Sequence, residues 1–78
     1  MSRPAPAALI EARIAELLGP NTARNAVRTF CQRATGGPPE ALTAADAPKV
    51  LAALRPTLRT LLGALTAEHV LGEIAREL

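Results

Sequence analysis

The stretch Leu51-Ala52-Ala53-Leu54-Arg55-Pro56-Thr57-Leu58-Arg59-Thr60-Leu61-Leu62-Gly63-Ala64-Leu65 decides the fold. Leu51, Leu54, Leu58, Leu61 and Leu65 follow one another at alternating steps of three and four, with Val50 and Leu62 beside them. That is the apolar stripe of an amphipathic α-helix. The repeat keeps its phase through Pro56, whereas a true break would reset it, so the spacing predicts one helix over 46–62 kinked at Pro56. Gly63 ends it. Upstream, Thr43 offers a helix cap with Asp46 three residues on, a variant of the capping box. Pro48 conflicts with a start at Thr43, because an N–H is already needed there. Either Asp46 is the cap or a turn of tighter helix precedes it.

Three further helices follow from the same periodicity. Ile10, Ile14, Leu17 and Leu18 form a stripe over 7–18, with Glu11, Arg13 and Glu16 off it. Gly19 can take a left-handed conformation and Pro20 is preset for a new first turn, so a sharp corner follows. Ala23, Val27, Phe30, Cys31 and Ala34 share one face of a helix over 21–34, which Gly36-Gly37-Pro38-Pro39 terminates. Thr66 is expected to cap a last helix over 66–77 carrying Val70, Leu71, Ile74 and Leu78. Residues 1–6, with Pro4 and Pro6, read as a flexible lead-in, and 7–78 as a single domain. The fold class is therefore all-α, a small bundle of four helices with its core at Ile14, Leu17, Val27, Phe30, Leu51, Leu54, Leu58, Leu61, Val70, Leu71 and Ile74.

Composition agrees. Seventeen alanines and twelve leucines dominate the 78 residues, and Phe30 is the one aromatic residue. A chain of this length excludes a two-domain enzyme, and a net charge of +2 speaks against a histone-like polycation. No run of eighteen apolar residues spans a membrane, and the stretch from Pro4 to Ile10 is a poor secretory signal, so a cytoplasmic location is expected. The eight-to-one excess of Arg over Lys, with the alanines, suggests a GC-rich bacterial source.

No catalytic constellation emerges. Cys31 and His69 are the only soft ligands, too few for a structural zinc site, and no cofactor is expected. Cys31 reads as a small buried hydrophobe in preference to one half of a nucleophilic dyad with His69. The five glycines form no phosphate-binding pattern. The carboxylates fall on polar helix faces, Glu73 and Glu77 as a like-charged pair one turn apart.

Charge distribution says more. Residues 20–62 carry a local +4, residues 63–78 a local −2. Arg24 and Arg28 are one turn apart, as are Arg55 and Arg59, so two basic ridges are available to an acidic partner or to phosphate. The blander reading is a solvated face held by the acidic last helix. No stacking aromatics and no basic tail accompany the ridges, which places nucleic acid second to protein as a partner.

The string Ile14-Ala15-Glu16-Leu17-Leu18-Gly19-Pro20-Asn21-Thr22-Ala23-Arg24-Asn25-Ala26-Val27 resembles the I-G-P-x-A helical modules of bacterial signalling proteins that carry Roadblock, receiver, forkhead-associated or kinase domains. In those modules a helix ends at Gly-Pro. A second opens with a small residue three positions later, Ala23 here, and an apolar residue four further on, Val27, faces the core. Leu42-Thr43 before a leucine-rich helix, and Gly63 followed by Ala67, Leu71 and Ile74, extend the likeness over most of 10–78. Leu18 departs from it, standing where the modules carry an aromatic residue or Ile. The resemblance implies an adaptor or regulatory role without catalysis.

The expectation is a non-catalytic protein–protein interaction module of bacterial signalling, self-associating as a homodimer. Four short helices without large aromatics are expected to leave leucine surface exposed, and a second copy is the symmetric way to cover it. Arg24, Arg28, Arg55 and Arg59 are then candidates to meet Glu73 and Glu77 of the other copy. The alternatives are a small nucleic-acid-binding regulator using the same arginines, and a monomer whose alanines let the helices close tightly.

Overall fold

The computed structural model describes residues 5–78. They form α1 (Pro6–Leu18), α2 (Pro20–Thr35), a single 3-10 turn at Pro39–Ala41, α3 (Ala47–Leu62) and α4 (Ala64–Glu77). The described residues contain no strand, so the fold is the expected all-α bundle of four helices. α1 packs along α2, α2 along α3 and α3 along α4, while α1 meets α4 more narrowly. Of the expected lead-in, positions 1–4 lie outside the described residues, Ala5 caps α1 and Pro6 is already helical.

Each helical hairpin turns on one glycine. Gly19 has φ 87° and ψ 158°, and Gly63 has φ 85° and ψ 157°. This region is open essentially to glycine alone. Gly19 closes α1 by donating its N–H to the Ala15 carbonyl and opens α2 by accepting from the Ala23 N–H, both at 3.0 Å; Gly63 does the same with Arg59 and Ala67. A single residue thus satisfies backbone groups of two helices. α4 consequently starts at Ala64, and the expected cap at Thr66 is corrected: Thr66 is already inside the helix.

The two corners belong to a wider correspondence. Leu17-Leu18-Gly19 and Leu61-Leu62-Gly63 are followed, at the same distance, by Thr22-Ala23 and Thr66-Ala67. On that spacing the buried positions match too: Ile10 with Leu54, Ile14 with Leu58, Ala23 with Ala67 and Val27 with Leu71. α1–α2 and α3–α4 are two versions of one hairpin plan, packed through α2 and α3.

Among the described residues every buried one is hydrophobic, and each helix contributes one buried alanine, Ala7, Ala23, Ala47 and Ala67. Alanine at a helix contact lets backbones approach closely, which is how a core nearly free of aromatics closes. Val50, Leu51, Leu54, Leu58, Leu71 and Ile74 are therefore enclosed within the one chain. Among the described residues three leucines are exposed, while Leu9, Leu18, Leu62 and Leu78 are half-buried. Leu17 and Leu61, expected in the core, are 46% and 55% exposed: they occupy equivalent last turns beside the glycine corners, where the stripe outruns the packed interior. Leu65 is 90% exposed because Gly63 resets the helical phase, turning it away from the face that carries Ala67, Leu71 and Ile74. Phe30 and Val70 are half-buried at the core's edge rather than within it, and the Arg33 guanidinium lies 5.4 Å from the Phe30 ring centre.

At its other end, α2 stops at Gly36, whose left-handed backbone (φ 75°) lets its N–H reach the Gln32 carbonyl at 2.9 Å. Both starts considered for α3 are present together, a turn ahead of the helix and Asp46 at the cap position. The Asp46 N–H donates to the Thr43 carbonyl at 3.1 Å and to Thr43 Oγ1 at 3.2 Å. Asp46 holds the cap position, but its carboxylate pairs with Lys49 at 3.3 Å instead of capping. Pro48 then falls in the first helical turn, where no N–H is required. α3 continues through Pro56, which supplies no N–H for the Ala52 carbonyl, and both residues are exposed.

Candidate functional site

The four candidate arginines lie on two different hairpins, each set against a helix groove. On α2, Arg24 and Arg28 are exposed and line a cleft of about 470 Å³ with Glu11 of α1, Gln32, Pro38, Pro39 and Glu40. Residues 24, 28 and 32 lie one turn apart, so their side chains form a ladder along one helix face. The wall opposite is held by the 3-10 turn that the two prolines begin. Neither Arg24 nor Arg28 makes an ion pair or a side-chain hydrogen bond among the described residues, and the same holds for Glu11 and Glu40.

The second ridge is engaged within the chain. Arg55 Nε lies 3.2 Å from Glu68 Oε2, and Arg59 Nη1 donates to the same oxygen at 3.2 Å. This is the held basic face that the blander reading of the charges anticipates. Arg55 and Glu68 also flank a shallow groove between α3 and α4 whose floor includes Ala52, Gly72 and Ala75.

Glu73 and Glu77 face α1. Arg13 Nε donates to Glu77 Oε2 at 2.8 Å, a second guanidinium nitrogen bonds the other carboxylate oxygen, and Glu73 lies 3.9 Å from the same guanidinium. The hydrogen bond from Arg13 holds the Glu77 carboxyl below the usual carboxylate range and raises the guanidinium in turn. His69 contacts Glu73 one turn away. These carboxylates therefore tie the first helix to the last. Sequence reading left Arg13 aside as a polar residue off the stripe. Besides Glu16 one turn on at 4.0 Å, its partners lie at the far end of the chain, and no local pattern announces that pair.

Sequence reading also missed the relation between the grooves, though the signal was present in the repeated Leu-Leu-Gly-x-x-Thr-Ala. The hairpin correspondence that pairs Gly19 with Gly63 pairs Glu11 with Arg55 and Arg24 with Glu68. Each groove carries one cation and one anion at equivalent places with the signs exchanged. In the α3–α4 groove the two meet; in the α1–α2 cleft they do not.

Burial pushes the Cys31 thiol up, with the Glu40 charge adding to it, so the side chain remains a protonated thiol. Among the described residues no three His, Cys, Asp or Glu side chains gather as metal ligands, and no helix is long and apolar enough to cross a membrane. No known protein family, curated protein or solved structure matches the chain.

Proposed function

We propose that this chain is a non-catalytic protein–protein interaction module that self-associates, acting in the cytoplasm as a regulatory element of bacterial signalling. The observation that carries the reading is the exposure of Leu17, Leu61 and Leu65 around the two glycine corners. A chain rich in small and polar surface residues has no need of leucine there for its own core, and a contact that removes the remaining leucine surface from water supplies about 1.5–3 kcal/mol for Leu65 and roughly half that for each of the half-covered Leu17 and Leu61. The link to signalling rests on the likeness of residues 14–27 to the I-G-P-x-A modules.

A protein partner is favoured over nucleic acid by the company the arginines keep. Arg55 and Arg59 share Glu68, and Arg24 and Arg28 share their cleft with Glu11 and Glu40. Phosphate contacts call for cations without such neighbours, since each nearby carboxylate repels the backbone charge. The double variant Leu61→Lys with Leu65→Lys tests the reading. Both sites are solvated, so helical content stays as in the parent chain and self-association weakens. Unchanged association in a folded double variant contradicts the role given to these leucines.

A further inference from the structure

We infer that the α1–α2 cleft receives the α3–α4 groove of a second copy of this chain, with Glu11 facing the partner's Arg55, and Arg24 and Arg28 facing the partner's Glu68. The inference rests on the self-association proposed above and specifies the surfaces that orient it.

Three observations lead there. Among the described residues six charged side chains make no ion pair, and four of them, Glu11, Glu40, Arg24 and Arg28, line a single cleft, with Arg33 and Arg76 elsewhere; Arg13, Lys49, Arg55 and Arg59 all hold carboxylates within the chain. A cleft with two unengaged cations and two unengaged anions suits a ligand that carries both signs, rather than a simple anion. The hairpin repeat supplies such a surface, because the α3–α4 groove bears the same pair of positions with the signs exchanged. Finally, that groove remains open to a partner. Glu68 uses one carboxylate oxygen for both arginines, leaving acceptor sites on the other, and a guanidinium has five N–H donors of which each arginine uses few. Its floor of Ala52, Gly72 and Ala75 projects little, and nothing lies within 4 Å of where a Gly72 side chain would begin, so long side chains from another molecule can lie across it.

Joined this way, Glu11, the partner's Arg55, the partner's Glu68 and Arg24 form an alternating row of four charges. Exposed ion pairs taken singly contribute little, and their worth lies in networks and in fixing orientation. The row therefore selects register while the exposed leucines supply adhesion. A contact between unlike faces closes into a twofold dimer if both pairs engage together, and otherwise continues head to tail.

Two charge-exchanged variants decide the matter, each leaving the net charge of the chain unchanged. One carries Glu11→Arg with Arg24→Glu; the other carries Arg55→Glu with Glu68→Arg. All four positions are solvent-facing or partly so, and circular dichroism verifies that each variant is folded. At low salt each variant alone places like charges opposite one another and self-associates at least about tenfold more weakly than the parent chain. An equimolar mixture restores association, because the exchanged cleft of one then matches the exchanged groove of the other. Variants that associate as the parent does, or a mixture that stays dissociated, overturn this pairing while leaving self-association standing. A parent chain that is monomeric at every concentration overturns both.

Discussion

The Arg13 guanidinium on α1 holds the Glu77 carboxylate at the end of α4, Nε to Oε2 at 2.8 Å, so the first and last helices of the chain are clasped by one hydrogen-bonded ion pair. The narrow packing between these two helices makes the clasp the polar link that closes the bundle. Because the bond favours the ionised carboxyl, Glu77 has a lower pKa folded than unfolded. Its contribution is complete above the ordinary glutamate value of about 4.3 and is lost as pH falls through the lowered folded value. Melting temperatures of the parent chain and Glu77→Gln should differ at neutral pH and converge in acid. A difference that holds constant through the acid limb contradicts this assignment.

Gly19 and Gly63 share one backbone conformation, and a side chain at either is strained although space is open. Gly19→Ala and Gly63→Ala should each cost about 1–3 kcal/mol in urea denaturation, and the two costs should be similar because the corners are equivalent. Gly72→Ala is the control. Gly72 lies inside α4 with ordinary backbone and no neighbour to meet, so alanine there should stabilise by roughly 0.5–1 kcal/mol.

Leu58 and Leu61 belong to one stripe in sequence and to different environments in the fold. Leu58 is 1% exposed, and Leu58→Ala should cost about 2–5 kcal/mol, enough to unfold a domain this small. Leu61→Ala should change the stability of the dilute chain by no more than about 0.5 kcal/mol. Equal losses at the two positions, measured well below the association range, contradict the placement of Leu61 at the surface.

Nucleic acid makes a separate forecast. With carboxylates beside both pairs of arginines, duplex DNA should show no binding that survives a rise from low to physiological salt. Tight, steeply salt-dependent binding that weakens on Arg24→Ala or Arg28→Ala favours the rival reading instead.

The helices were legible because an apolar stripe at steps of three and four has one physical interpretation, and because Gly19, Gly36 and Gly63 mark turns that other residues resist. The same stripe misplaced Leu17 and Leu61, and it ran on to Leu65 although Gly63 had already turned the chain. Periodicity says which way a side chain points relative to its own helix, and it is silent on whether a neighbouring helix reaches that far or whether a glycine has turned the phase. Asp46 was one of two starts left open for α3, and it takes the cap position while Lys49 one turn on captures its carboxylate. The arginine ridges were visible as spacings. Which of them is held depends on Glu68 arriving from α4, a matter of tertiary packing that no local spacing encodes.

Self-association is the central claim, and sedimentation equilibrium of the unmodified chain from micromolar to millimolar concentration tests it most directly. A self-associating chain gives an apparent mass that climbs with concentration above the 8.1 kDa of one copy. A single species at 8.1 kDa throughout contradicts it.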